Sequence, residues 1–597
     1  MSSRSNRTWG TRWLLPAALL LPLPLAHAEP SSLPPCKISV RGAPDRAIRR
    51  DVLTISDTWT QRKNPPPSLR LLRRRVQRDA DQMRLVMRTH GYYSATVQAY
   101  VRPGRKRTHV RFEVRAGPLY RIEGVHIQPV APLNVPLPSP DDLGLSLRRP
   151  AEARVILLAE QELVRRLQSR GYPLARVTRR AVEADHATRG IRLAFRVEPG
   201  PAAVFGATLI TGLQHLRQGF VDRAVPWKPG ERFSLEPLDQ LRTRLIRAGL
   251  FSAITVTPEG PPDEQGCQTI RVELRERRRR TVELGVGYTT DRGAGARAAW
   301  THRNLFGGAE RLMWSAEVSE HAASGEASFT RPHFLGIDQD LQLDVKAERE
   351  ESDAYISQRL TTSALVEHYL SETWQISGGL SLRLSEVEQN GTNDEYLLVS
   401  APLQLRRDSS DDLFDPHRGG RMLLHVEPVY DLLGGHIGFV RNRVVLTRYL
   451  RLSRRPFLVA AARAAVGALA GSSRNDVPAD ERLYAGGGGS IRGYAYQKVG
   501  PMDEEGHVLG GRSLIETSLE LRWRMSESMG WAVFADGGSV HEEAWPDFGD
   551  SLQWGAGLGW RYFSPVGLVR VDVGVPVNRR KDLDDPYQLY VSIGQAF

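Results

Sequence analysis

The chain has 597 residues, which is too long for one ordinary hydrophobic core, so its length predicts several domains or one very large sheet. Its formal net charge is +13 and its mean hydropathy is −0.36. A charge of this size often indicates nucleic-acid binding. Because the arginines extend along most of the length of a chain that is expected to be exported, we instead predict contact with anionic lipid surfaces and no nucleic-acid partner.

The N-terminal residues have the pattern of a signal peptide. Arg4, Arg7 and Arg12 flank or precede an apolar run over residues 13–25, and small residues at positions 26 and 28 suit a signal peptidase. The run is shorter than the roughly 20 residues that a spanning helix needs, and prolines interrupt it. Residues 1–28 are therefore predicted to be a signal peptide, which places the mature chain outside the cytoplasm.

The two cysteines, Cys36 and Cys267, lie near opposite ends of the N-terminal region. In an exported chain a disulfide between them is chemically permitted, and the sequence leaves that pairing open. Neither cysteine has His or Cys neighbours at metal-ligand spacing, so no metal site is expected.

A repeat organises the first half of the chain. Gly91, Gly171 and Gly249 recur at intervals of 80 and 78 residues, and each follows a helical pattern of apolar residues. After each glycine come an alternating strand, a polar turn and a second strand. The period is therefore strand, helices, strand, strand, and it predicts three small α+β domains at residues 36–117, 118–200 and 201–277.

From residue 281 to 597 the helical period disappears and alternating strands follow one another. In "TVELGVGYTT" every second residue is apolar, as expected if one face meets lipid and the other a polar lumen. A soluble sandwich would also alternate, but aromatic residues cluster near strand ends as an interfacial girdle would: Trp300, Trp314, Trp523 and Trp560. The available length fits an all-β transmembrane barrel of about 16 antiparallel strands.

Several motifs of this chain resemble those of the BamA/TamA superfamily of outer-membrane assembly proteins. The three repeats resemble its periplasmic POTRA domains, and "SIRGY" at residues 490–494 resembles the motif of its sixth extracellular loop, which folds back into the barrel lumen. Further matching stretches occur in the family's order, among them "RNLFGGAERL", "DSSDDLFDPHRGGRM", "GGRSLIETSLELRWR", "FADGGSV" and "YFSPVGLVRVDVGVP". Three POTRA repeats fit the translocation-and-assembly-module branch of the superfamily better than BamA, which has five.

The loop motif predicts a polar contact inside the barrel. Alternation places Glu520 on the lumen face of its strand, and the family pattern does the same for Asp536. A guanidinium at Arg492 could satisfy both carboxylates at once. Gly493 would let the backbone pass close to the wall, and Tyr494 would pack on the wall. Arg492→Ala is expected to impair the barrel more than Arg482→Ala.

Two further predictions concern the ends of the barrel sequence. Glycines on the first and last strands leave little side-chain packing, so the seam that closes the barrel is predicted to be weak and able to template an incoming strand. Its predicted residues are Leu284, Gly285, Gly287, Ile593 and Gly594. Phe597, at the end of an apolar-spaced strand, resembles the family's sorting signal.

The resemblance implies an outer-membrane assembly factor that assists the insertion or translocation of autotransporters and other outer-membrane proteins. It also implies a TamB-like partner that is anchored in the inner membrane and spans the periplasm. Because no phosphate loop, zinc-protease or hydrolase motif is present, we expect no enzymatic activity, nucleotide hydrolysis or cofactor. The alternative is a two-partner secretion pore exporting a dedicated adhesin, a family that usually has two POTRA domains behind a plugging helix. A passive porin would need neither the repeats nor the loop motif.

Overall fold

The structure is a computed structural model, and it describes residues 33–593 except 290–292, 435–436, 455, 548, 550–551 and 565–566. The predicted signal peptide at 1–28 lies outside the described residues. None of the described helices is both long enough and apolar enough to cross a membrane.

The first small domain packs three helices against a three-stranded sheet. Strand β1 lies parallel to β3, which pairs antiparallel with the edge strand β2. Leu72, Val76 and Met83 of the long helix α3 are buried with Val110 and Phe112 of β3, so alternation on the strand and helical spacing on α3 build one core. The elements are β1 (Cys36–Arg41), α1 (Arg46–Thr54), α2 (Asp57–Thr60), α3 (Leu69–Thr89), β2 (Thr96–Arg102) and β3 (Thr108–Arg115).

The second and third small domains repeat this sheet order, β4-β6-β5 and β7-β9-β8. Gly91, Gly171 and Gly249 have positive φ angles of 89°, 92° and 68°, as expected of residues that end a helix. The elements are β4 (Arg121–Pro129), α4 (Ala153–Gln168), β5 (Arg176–Asp185), β6 (Gly190–Glu198), β7 (Val204–Thr211), α5 (Gln218–Ala224), α6 (Leu235–Ala248), β8 (Phe251–Pro258) and β9 (Cys267–Glu276).

Both cysteines are free in the structure, Cys36 in the first domain's core and Cys267 at the start of β9. Burial raises the pKa of the Cys36 thiol. The predicted fold class is confirmed by the three small sheets and the barrel that follows them. The domain limits given above stay predictions.

The barrel is a closed antiparallel sheet. Strands β17 and β18 both lie between β16 and β19 and are two halves of one interrupted strand, so the described residues form a 16-strand barrel. The elements are β10 (Arg280–Thr289), β11 (Gly293–Arg303), β12 (Arg311–Ser319), β13 (Ala322–Arg331), β14 (Gln339–Glu351), β15 (Ile356–Tyr369), β16 (Trp374–Gln389), β17 (Thr392–Ser400), β18 (Leu403–Asp408), β19 (Gly419–Asp431), β20 (Gly438–Arg454), β21 (Phe457–Gly471), β22 (Ser513–Arg524), β23 (Met529–His541), β24 (Gln553–Ser564), β25 (Gly567–Pro576) and β26 (Gln588–Ile593).

Alternation along the barrel strands separates an apolar outer face from a polar lumen. On β22, Leu519, Leu521 and Trp523 are exposed, whereas Glu520 and Arg522 between them are buried. Aromatic residues pair across neighbouring strands on the outer face. Trp300 lies opposite Trp314, and Trp531 lies between Trp523 and Trp560.

The third small domain contacts the barrel at the turns that follow β11 and β13. The ring of Phe220 stacks on His333, with centroids 4.7 Å apart, and the guanidinium of Arg247 lies 3.2 Å from the carboxylate of Asp338. The domain and the barrel therefore share a packed junction on these turns.

Candidate functional site

The candidate site is formed by the loop of residues 472–512, which joins β21 to β22 and packs inside the barrel. Ile491 and Tyr494 are fully buried, together with Leu514 and Val540 of the wall. Apolar contacts of this kind bring the polar residue between them, Arg492, to the lumen face of the strands.

Arg492 is only 2% exposed and binds three carboxylates. Its Nε and Nη2 atoms donate to the two oxygens of Asp536 at 2.7 and 3.0 Å, a bidentate pair. Its Nη1 atom donates to Glu520 at 2.8 Å and to Asp572 at 3.0 Å. The structure thus brings together the three residues that the sequence predicted, Arg492, Glu520 and Asp536, and adds Asp572.

The strands hold these carboxylates at matching heights. Glu520 on β22 lies opposite Phe534 on β23, and Asp536 follows Phe534 by two residues. Asp572 on β25 lies opposite Gly559 on β24. Asp572 was missed by the sequence analysis. The pattern that could have identified it is the alternation in "VRVDVGV", which puts Arg570, Asp572 and Gly574 on one face of β25.

Neighbouring arginines balance the carboxylates. Arg522 donates to Glu520 at 2.8 Å, and Arg561 donates to Glu520 at 3.3 Å and also to Asp572. The ring of Phe534 lies 3.5 Å from the guanidinium carbon of Arg492, within cation–π distance. A buried cluster that contains charges of both signs is held in one geometry, because each charge loses its partners if another is displaced.

The glycine of the motif allows the backbone to lie against the wall. Gly493 has a φ of 110°, and an added methyl group there would overlap the backbone of Val575. Its N–H donates to the hydroxyl of Tyr590 on β26 at 3.2 Å, and the hydroxyl of Tyr494 donates to Asn578 at 2.8 Å. In the structure, Gly493 and Tyr494 therefore lie close to the wall.

A second anchor of the same loop was not predicted. Asp480 and Glu481, in a short 3-10 turn, are buried against the wall formed by β15, β16 and β20. The hydroxyl of Ser357 donates to Asp480 at 2.9 Å, and Glu481 forms ion pairs with Arg383 and Arg441. The loop is therefore fixed to two different parts of the barrel wall.

The seam joins the first and last barrel strands. The ladder between β10 and β11 covers all of β10, but in the described residues β10 pairs with β26 only at Tyr288 and Thr289, which lie opposite Val591 and Tyr590. Leu284 is 81% exposed, and a side chain added at Gly285 would meet nothing within 4 Å. Among the described residues, β26 therefore pairs with one end of β10 only.

Of the other predicted seam residues, Gly287 lies beside the carbonyl of Val591. The register between β10 and β26, continued by two residues, places Ile593 across from Val286 rather than from Leu284. Gly594 and Phe597 lie outside the described residues, so the sorting signal stays a prediction.

One group of potential metal ligands occurs among the described residues. Asp503, Glu505 and His507 lie close together on a turn, where the backbone N–H of His507 donates to Asp503. The carboxylate and imidazole are engaged with each other on this solvated turn, so we assign no metal there.

This geometry agrees with a known class of membrane barrels. Residues 304–597 match the Omp85 superfamily domain. The chain is an outer-membrane protein, as predicted.

Two proteins named as outer-membrane assembly factors are similar in sequence to this chain. The outer membrane protein assembly factor BamA of Nitratidesulfovibrio vulgaris is 26% identical over 449 residues, which cover 72% of this chain and 55% of that protein. BamA of Neisseria meningitidis is 23% identical over 500 residues, which cover 73% of this chain and 62% of that protein. The chain therefore spans less than two thirds of the length of either relative.

Solved structures show the same fold at low identity. BamA from Haemophilus ducreyi lacking POTRA domains 1–3 has a TM-score of 0.62 and 18% identity, covering 79% of this chain and all of that chain. CdiB from Acinetobacter baumannii has a TM-score of 0.51 and 15% identity, covering 80% and 90%. These likenesses concern the fold alone.

Proposed function

We propose that this protein is an outer-membrane assembly factor of the TamA type, which assists the insertion or translocation of autotransporters and other outer-membrane proteins. The observation that carries the proposal is the seam. An edge strand with unpaired N–H and C=O groups can add an incoming β-strand, whose main-chain hydrogen bonds supply affinity with little demand on sequence. The similarity to two proteins named assembly factors supports the same function.

The energy for this work would come from the exchange of strand pairing rather than from a chemical reaction. We propose that the protein acts without nucleotide hydrolysis and without enzymatic activity. A client strand that pairs with β10 satisfies backbone groups that would otherwise face the bilayer, where each unpaired group is costly. If the lipid face beside the seam is short, it would further lower the barrier, since hydrophobic mismatch thins the membrane.

A disulfide across the seam tests this proposal. Tyr288→Cys with Val591→Cys, in a chain whose Cys36 and Cys267 are replaced by Ala, puts two cysteines at directly opposite positions. We expect oxidation to stop client assembly and reduction to restore it. The matched control is Ala298→Cys with Ala316→Cys, an opposite pair between β11 and β12, which should leave assembly unchanged. Unimpaired assembly by the seam-locked protein would refute the mechanism.

The partners require a separate experiment. In the proposed function the small domains lie in the periplasm, where they meet a TamB-like protein anchored in the inner membrane. Capture of the full-length protein from cell envelopes should recover such a large periplasm-spanning protein. Recovery of one dedicated secreted adhesin instead would favour a two-partner secretion pore and contradict the TamA-type assignment.

A further inference from the structure

The net positive charge of the chain is concentrated in its first domain, although arginines occur along most of the length. Residues 36–117 contain 20 Lys and Arg but six Asp and Glu, a net charge of +14 with His neutral. The same counts are 13 and nine, a net +4, for residues 118–200, and ten and nine, a net +1, for residues 201–277. The barrel region, 281–597, has 32 and 43, a net −11.

The fold does not account for this excess. All three domains have the same three-stranded sheet order, and two of them form it with a charge close to neutral. Self-repulsion in a strongly charged domain opposes its compact state. The excess of positive charge therefore indicates a function that the first domain has and the other two lack.

The cations of the first domain are exposed and mostly without acidic partners. Of the 20 Lys and Arg, 17 are exposed. Among the described residues, ion pairs join only Arg50, Arg84 and Arg111 to carboxylates in this domain. Two of its six acidic residues serve the fold instead, because Asp45 caps α1 and Asp79 is buried and accepts from Ser56.

One row of cations follows helix α3. Arg70, Arg74 and Arg78 succeed one another at intervals of four residues and are all exposed. Like charges at this spacing face each other on a helix surface and destabilise it. No carboxylate lies within ion-pair distance of these three guanidiniums in the described part of the chain. Repulsion within the row therefore destabilises the helix, and a bound anionic ligand would remove this repulsion.

The opposite side of the domain is also basic. On the outer face of the sheet, Lys37, Arg102 and Arg115 are exposed, and Arg111 lies over the ring of Tyr100. On the equivalent strand of the third domain, Arg271 is paired with both Glu259 and Glu273, whereas Arg111 of the first domain is paired with Glu113 alone. The excess of the first domain therefore extends over both its helical side and its sheet side.

We propose that the first domain is a binding site for an acidic, extended polypeptide segment of a periplasmic protein. Of its 20 cations 17 are arginines, whose planar guanidinium binds carboxylates through two parallel hydrogen bonds. A flat bilayer reaches one side of a domain at a time, whereas a flexible acidic chain can follow cations on both sides. Complementary charge of this kind also speeds encounter between the partners. The proposal does not depend on the assembly function proposed above.

Binding of two peptides to the full-length protein in an uncharged detergent tests this. The probe alternates Glu and Ser, and its control alternates Gln and Ser. We expect only the Glu peptide to bind, with an affinity that falls as salt rises. The variant with Arg70→Gln, Arg74→Gln and Arg78→Gln should weaken it by about tenfold or more. The matched variant with Arg154→Gln, Arg179→Gln and Arg196→Gln, three exposed arginines of the second domain, should change it by less than about twofold.

Other results would overturn the proposal. Equal losses in the two triple variants would show a general charge effect, and equal binding of the Gln peptide would show that carboxylates are not recognised. If vesicles containing phosphatidylglycerol bind with dependence on Arg70, Arg74 and Arg78 while the Glu peptide does not, the surface is a lipid contact instead. A thermal unfolding curve checks folding, because removing like charges on α3 should leave the domain as stable as before or more so.

Discussion

The two anchors of the inward loop have opposite polarity. At one, a single cation, Arg492, is enclosed by three carboxylates on β22, β23 and β25. At the other, the carboxylates of Asp480 and Glu481 are enclosed by arginines on β15, β16 and β20. The first anchor is almost dry, whereas the arginine side chains of the second remain 15–20% exposed. The loop therefore joins two parts of the wall through one buried anchor and one partly hydrated anchor.

The largest effect is expected from Arg492→Ala. Removing one partner of a buried ion pair costs about 3–5 kcal/mol, because the remaining charges stay buried and lose their compensation. Chemical unfolding of the purified barrel should show a loss of this size, and assembly of the barrel in cells should fall. Arg492→Lys should be intermediate, since an ammonium keeps the charge but not the bidentate geometry.

Arg482→Ala is the control for that variant. The Arg482 guanidinium donates to the carbonyl oxygens of Val477 and Leu509 and to the side chain of Gln389, with no carboxylate among these acceptors. Its removal should cost about 1 kcal/mol. Equal losses for Arg482→Ala and Arg492→Ala would contradict the importance of the buried anchor.

Glu481→Gln tests the hydrated anchor. The substitution keeps the shape of the side chain but removes the charge that Arg383 and Arg441 share. Because water reaches these arginines, we expect a smaller loss than for Arg492→Ala, about 1–3 kcal/mol in the same unfolding measurement. Ser357→Ala, which removes a neutral donor to Asp480, is the milder companion. A loss from Glu481→Gln that exceeds the one from Arg492→Ala would reverse the ranking of the two anchors.

The smallest effect should come from Phe534→Leu. This change removes the aromatic face beside Arg492 but leaves all of its hydrogen bonds in place. Loss of the cation–π contact should reduce stability by about 1–2 kcal/mol. Val533→Leu, on the outward face of the same strand, is the control and should be close to neutral. If the two variants were equally stable, the carboxylates alone would account for the stabilising contacts of Arg492.

The fold could be predicted in unusual detail because its signals are local. Gly91, Gly171 and Gly249 each end a helix, and alternation along strands such as β22 separates lumen from lipid within a few residues. The length of the region is compatible with about 16 strands but does not fix their number. These features depend on neighbouring residues, which a sequence displays directly.

The site could be predicted only in part. Alternation says that Asp572 faces the lumen, but not that it lies level with Arg492, since this depends on strand register and on the stagger of the barrel. Glu481 was missed for the same reason. Its partners Arg383 and Arg441 are 98 and 40 residues away, on strands that no local pattern connects to the loop.

The glycines that face Arg492 have a consequence for the order of folding. A methyl group at Gly555 on β24 or at Gly574 on β25 would overlap the backbone of Arg492 and Gly493. Together with the carboxylates of β22, β23 and β25, they form a receptor that exists only after the last strands have paired. Arg492 precedes all of them in the chain, so its full set of contacts depends on strands that follow it in sequence. Docking of Arg492 therefore requires that the strands of the C-terminal third of the barrel have paired in the correct register.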